Sequence, residues 1–100
     1  MSSRDLALIL SPRAEADFTD ILSYTFATWG EAQMFTYRAI LDKALMAVLD
    51  NPQIGHACPE LSAKHRIFSA GRHIIVYYAT DKAVCVSRIL HERMDVKRRM

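Results

Sequence analysis

Arg72-His73-Ile74-Ile75-Val76-Tyr77-Tyr78-Ala79 decides the fold. Its β-branched and aromatic centre is too short for an ordinary helix and too strongly strand-forming for a loop. The run predicts a strand whose neighbours Tyr77 and Tyr78 point to opposite faces, one toward a core and one toward a polar surface. Ala70-Gly71 supplies a turn before it, and Lys64 to Ser69 reads as the strand entering that turn. Thr80-Asp81-Lys82 supplies the next turn, and Ala83 to Leu90 reads as the last long strand. The second half of the chain is therefore a three-strand meander.

A meander needs one face covered. Upstream of Lys64 the period changes from two to three or four. Ser11 and Pro12 are a cap and a first helical residue. Ala14, Phe18, Ile21, Leu22, Thr25 and Trp29 then follow helical spacing, with Phe18 and Trp29 read as core. Glu15, Asp17 and Asp20 fall where a helix dipole favours negative charge. Gly30 ends this helix, and a second runs from about Glu31 to Leu49. Its apolar stripe is Met34, Tyr37, Leu41, Ala44, Leu45 and Val48. One joint residue makes the two helices a hairpin. Asn51-Pro52 ends the second helix, and Gln53 to Ala63 reads as loop. Leu6 to Leu10 is a short apolar strand at the start. The fold class is α+β, in the order β-α-α-β-β-β, with a helical hairpin on a mainly antiparallel sheet. His91 to Met100 is either a short helix or a basic tail.

One hundred residues make one domain, 1–100, and 51% hydrophobic content is high for that length. Some of this apolar surface is expected to serve a partner. The charge is uneven: Ala63 to Met100 carries nine Lys/Arg against three Asp/Glu, and Met1 to Ser62 four against eight. A basic end on an apolar chain points to an acidic or phosphate-bearing partner. Cys58, in a polar loop, reads as exposed, and Cys85, in a strand, as a small core residue. Neither belongs to a metal-ligand pattern or a disulfide framework, and both suit a reducing cytoplasm. The start, Met1-Ser2-Ser3-Arg4-Asp5 followed by five apolar residues, is too short for a secretory signal or a membrane span.

Arg66, Arg72 and Arg88 fall on successive strands and can converge on one sheet face, with His73 and His91 nearby. Such a cluster has the elements of RNA cleavage: arginines to clamp a phosphate, and histidine as acid or base. Arginines on a half-exposed sheet are more commonly solvated or paired, and His91 also suits a structural place at a strand end. His56 and His65 read as ordinary loop and surface residues. No His-Glu-x-x-His, Cys/His metal-binding motif or glycine-rich phosphate loop is present, so no metal or cofactor is expected. Direct binding to nucleic acid is not expected either, because no aromatic platform is interleaved with the basic residues.

In order and spacing, the chain resembles the ParE branch of the RelE/ParE toxin superfamily. The resemblance begins at Leu10-Ser11-Pro12-Arg13-Ala14-Glu15-Ala16-Asp17-Phe18 and continues through Tyr24 and Trp29-Gly30. It resumes at Leu49-Asp50-Asn51-Pro52-Gln53-Ile54-Gly55, at Arg66, and at Gly71-Arg72-His73-Ile74-Ile75-Val76-Tyr77. Its most distinctive part is Arg88-Ile89-Leu90-His91-Glu92-Arg93-Met94-Asp95. The resemblance implies the toxin half of a type II toxin–antitoxin pair, wrapped by a ParD-like antitoxin. It also implies DNA gyrase as the target and growth inhibition as the outcome. Gyrase inhibition needs no active site in the toxin. The residues expected at the target or antitoxin surface, or in local pairing, are Arg66, Arg72, His73, Arg88, His91 and Arg93. The alternative is a ribosome-dependent mRNA endoribonuclease of the RelE type, with Arg66, Arg88 and His91 as its catalytic groups. That alternative lacks a tyrosine beyond Tyr78, and Ile74 to Val76 stand where those nucleases often place an arginine.

Overall fold

The computed structural model describes residues 6–100. The reading of Met1 to Asp5 lies outside them. The elements are β1 (Ala7–Leu10), α1 (Pro12–Trp29), α2 (Glu31–Asp50), β2 (His56–Ala57), β3 (Arg66–Ala70), β4 (His73–Ala79), β5 (Ala83–His91) and α3 (Val96–Arg99). They form one five-stranded sheet in the order β1-β5-β4-β3-β2. β1 runs parallel to β5, and the other pairs are antiparallel. The hairpin, the meander and the β-α-α-β-β-β order are as expected. The tail is a short helix. β2 is new: two residues inside the expected loop pair with Arg66 and Ile67.

One layer of helices covers one face of the sheet. Leu41, Ala44, Leu45 and Val48 of α2 and Ala14 of α1 meet Ile75, Tyr77, Val84, Val86 and Ile89. Burying each large aliphatic side chain contributes about 1.5–3 kcal/mol against leaving it in water. Met34 and Tyr37, at the N-terminal end of the α2 stripe, are half-buried. Trp29 corrects the expected pattern. It shares the core spacing of α1 but is 70% exposed, because the hairpin tip overshoots the sheet. The cysteines exchange places: Cys58 is buried and Cys85 is half-exposed. The Cys58 backbone N–H bonds to the His65 carbonyl, which draws its loop against the sheet.

Two tyrosines fasten α2 at its ends. The Tyr77 hydroxyl donates to the Pro52 carbonyl (2.7 Å) and accepts from the Gly55 N–H (2.9 Å). The Tyr37 hydroxyl accepts from the Arg72 N–H (2.9 Å). Each hydroxyl occupies the space of a missing side chain. A Cβ on Gly55 would lie 2.6 Å from the Tyr77 hydroxyl, and one on Gly71 would lie 2.7 Å from that of Tyr37. Gly71 also has φ +60°, a region few side chains tolerate.

β5 outruns β1. Pairing stops at Leu10 and Val86, so the outer edge of β5 beyond that point has no neighbouring strand. The first turns of α1 satisfy it instead. Ser11 donates its backbone N–H to Val86 O and its hydroxyl to Ser87 O (2.8 Å), and accepts the Ala14 N–H as helix cap. Asp17 accepts the Ile89 N–H (3.0 Å) and both arms of Arg88, from Nε (2.7 Å) and Nη2 (3.0 Å). Both side chains of this ion pair are about 15% exposed.

Removing one member of a buried pair leaves an uncompensated charge. Asp17→Ala should therefore lower the unfolding free energy by roughly 3 kcal/mol or more. Asp42→Ala, which breaks the exposed pair with Arg38, should cost less than about 0.5 kcal/mol. Urea melts of the two variants test the contrast; equal shifts would refute the assigned role of Asp17.

Candidate functional site

The three arginines do not converge. A bulge between Val76 and Tyr77 shifts the β4–β5 register, setting Arg88 beside Val76 while Arg66 pairs with Tyr77. Asp17 then holds Arg88, which also donates to the Arg99 carbonyl. Its charged form is favoured first by that hydrogen bond to Asp17. Arg66 turns to the loop after α2 and donates to Gly55 O (2.7 Å) and Gln53 O (3.4 Å). Arg72 lies in the β3–β4 turn, where its backbone N–H serves Tyr37 and its carbonyl accepts the Glu92 N–H. The phosphate clamp expected from strand order is thus dispersed into three separate attachments.

The histidines do come together. His73 and His91 are directly paired across β4 and β5, with ring centroids 5.4 Å apart in an edge-to-face arrangement. Tyr37 completes the row on the other side: its hydroxyl is 2.6 Å from His73 Nδ1, and the ring centroids are 5.5 Å apart. Burial pushes the His73 imidazolium pKa down, and the neighbouring His91 adds to the effect. Burial raises the Tyr37 phenol. His91 Nδ1 accepts the Arg93 N–H at 3.1 Å, so a neutral His91 carries its proton on Nε2. Tyr37 was legible only as part of a helix stripe; the tight Gly71 turn opposite it was the available signal.

After His91 the chain turns, with the Met94 N–H on the His91 carbonyl, and Asp95 caps α3 through the Lys97 N–H. His91, Arg93, Met94, Asp95, Arg98 and Arg99 line an open cavity of about 540 Å³. His65, expected to be an ordinary surface residue, bonds to Ser62 and sits edge-on to Tyr78, whose ring also carries the Lys64 ammonium 4.5 Å from its centroid. Among the described residues no group of three or more His, Cys, Asp or Glu is placed to hold a metal ion. No helix there is long and apolar enough to cross a membrane.

A helical hairpin over a five-stranded sheet defines a fold class that solved structures share. A chain from the chromosomal ParDE TA system from P. aeruginosa superposes with TM-score 0.74 at 13% identity, over 88% of this chain and 97% of that one. A chain of the YoeB dimer from Staphylococcus aureus superposes with TM-score 0.63 at 15% identity, over 87% and 97%. The sequence narrows the class. The family described as ParE toxin of type II toxin-antitoxin system, parDE, matches residues 8–96. Toxin ParE1 of Mycobacterium tuberculosis is 41% identical over the full length of both chains. Toxin ParE1 of Caulobacter vibrioides is 32% identical over 88% of this chain and 91% of its own. The chain belongs to the ParE toxin family.

The His73 shift gives stability a definite dependence on pH. A histidine with a lowered folded pKa binds its proton more readily when unfolded, so its neutral form supports the fold at neutral pH. As pH falls below the unfolded value near 6.5, stability should decline until the folded group itself protonates. His65 is shifted in the same direction by burial and Lys64, so both contribute. His73→Gln should therefore flatten part of the slope of unfolding free energy between about pH 6.5 and pH 5. Urea melts across that range measure it; parallel slopes for both proteins would assign the loss to other groups.

Proposed function

We propose that this toxin arrests growth in the cytoplasm by binding DNA gyrase, and that a ParD-like antitoxin neutralises it by covering the same molecule. The observation that carries this reading is the fixed state of Arg88. A ribonuclease of the RelE type would need Arg88 and Arg66 on the scissile phosphate. Here Asp17 holds the first through a bidentate, largely buried pair, and two loop carbonyls hold the second. Releasing Arg88 would leave the largely buried Asp17 carboxylate with the Ile89 N–H and no countercharge, at a cost of several kcal/mol. Inhibition by contact makes no such demand.

The surface suits contact. From Ile21 to Tyr37 the hairpin carries one charged residue, Glu31, while Tyr24, Phe26, Trp29 and Phe35 are each more than half exposed. Exposed aromatics of this kind dominate the energetics of protein interfaces. Arg72 and Arg93, both exposed, supply steering toward an acidic or nucleic-acid-laden partner. Of the expected set, Arg72 and Arg93 are exposed, and partly exposed His91 lines the C-terminal cavity with Arg93.

Purified toxin should inhibit supercoiling by gyrase and leave messenger RNA intact on translating ribosomes. Cleaved message with uninhibited gyrase would replace this reading with the ribonuclease one. In cells, His91→Ala and Arg93→Ala should reduce growth inhibition while leaving the urea midpoint unchanged. Arg88→Ala should lower the midpoint along with toxicity. Trp29→Ala should change stability by less than about 0.5 kcal/mol. It should also weaken gyrase or antitoxin binding by at least tenfold, which corresponds to about 1.4 kcal/mol. Undiminished toxicity in the His91, Arg93 and Trp29 variants together would sink the contact surface.

A further inference from the structure

We propose that the cavity formed by the C-terminal segment is a phosphate site that grips the DNA backbone while the toxin is docked on gyrase. The identity of the presenting enzyme rests on the reading above; the site itself rests on this chain. Three arginines and one histidine line the cavity against a single carboxylate, Asp95. That carboxylate is already engaged. One oxygen accepts the Lys97 N–H at 3.1 Å, and the other lies 3.9 Å from Arg98 in a largely exposed pair. Among the described residues, Arg93 and Arg99 have no ion-pair partner. His91 adds a directional donor, because its Nδ1 is taken by the Arg93 N–H and a proton is left on Nε2.

The backbone carrying these groups is held in place. Two guanidiniums meet on the Arg99 carbonyl: Arg13 from α1 at 3.2 Å, and Arg88 from β5. The turn after β5 is tied to the β3–β4 turn by the Glu92 N–H on the Arg72 carbonyl (2.9 Å). The donors therefore surround the cavity from a supported frame. Guanidinium forks match phosphate oxygens in pairs. A lone carboxylate offers two oxygens and would fill little of about 540 Å³. Adjacent phosphates of one strand use both the volume and the spread of charge.

Free DNA should still bind weakly. The net charge is only +2, and residues 1 to 62 carry a negative balance. Neutralising about two phosphates gives a salt slope near −2, far shallower than that of dedicated DNA-binding proteins. The phosphate contact becomes significant only when another protein presents the duplex. This agrees with the missing aromatic platform.

The test compares toxin affinity for gyrase alone with affinity for gyrase loaded with a duplex, at several salt concentrations. DNA should tighten binding at least tenfold and steepen the salt slope by about two. Arg98→Gln with Arg99→Gln should abolish that increment and leave DNA-free affinity and the urea midpoint unchanged. Equal affinity with and without DNA, or a full increment in the double variant, overturns the proposal. If gyrase is not bound at all, the functional reading fails, and the cavity is judged on the free chain. Inorganic phosphate and acetate are then titrated at constant ionic strength into isotope-labelled protein. Resonance shifts at His91, Arg93 and Arg99 with phosphate and not acetate sustain the phosphate site. Equal shifts with acetate make it a carboxylate site for an acidic peptide, and absent shifts make it no site; either result overturns the proposal.

Discussion

The structure depends on the pairing of Asp17 with Arg88 and the Ile89 N–H. β1 is four residues long and β5 nine, so half of an inner strand would otherwise face solvent with an unpaired edge. Unpaired backbone groups there are costly when covered and invite foreign strands when exposed. One carboxylate from α1 closes the gap and aligns the helix with the sheet. The neutralised Arg88 then reaches the Arg99 carbonyl, so the C-terminal segment is positioned from the same point. Helix, sheet edge and tail therefore share one electrostatic joint.

The large elements were legible because their periods are unambiguous. The strand run from His73 to Ala79 and the stripe Leu41, Ala44, Leu45, Val48 could scarcely be placed otherwise. What escaped was set by length and by the distant fold. β2 has two residues, too few for any period. Trp29 keeps core spacing, but a helical wheel does not show where the sheet beneath it ends. Asp17 read as a dipole partner because its true partner lies 71 residues away. The convergence expected of Arg66, Arg72 and Arg88 assumed an unbroken ladder; the bulge at Val76 and the competing partners removed it. The adjacency of His73 and His91 became visible only through register, since 18 residues separate them in sequence.

The molecule divides its surface chemistry between two patches. The hairpin tip is aromatic and almost free of charge. The patch formed by His91 and the C-terminal segment is basic and polar. Apolar contacts set how long a complex lasts, whereas charge mainly sets how quickly and in what orientation it forms. A toxin that meets both an antitoxin and a cellular target can use the two patches with different weights. One partner can then displace another without matching every contact.

The two glycine–tyrosine contacts bear on how such a chain can change over generations. Gly71 is empty because the Tyr37 ring and hydroxyl fill the space, and Gly55 because Tyr77 does. A side chain at position 71 cannot be gained first, since it meets the ring at once. Removing the ring first detaches the Arg72 N–H and His73 from α2. Either single step passes through a weakened intermediate, so these positions behave as one heritable unit. These two glycine–tyrosine pairs are accordingly held against drift, while the exposed tip between the helices can vary with each new partner.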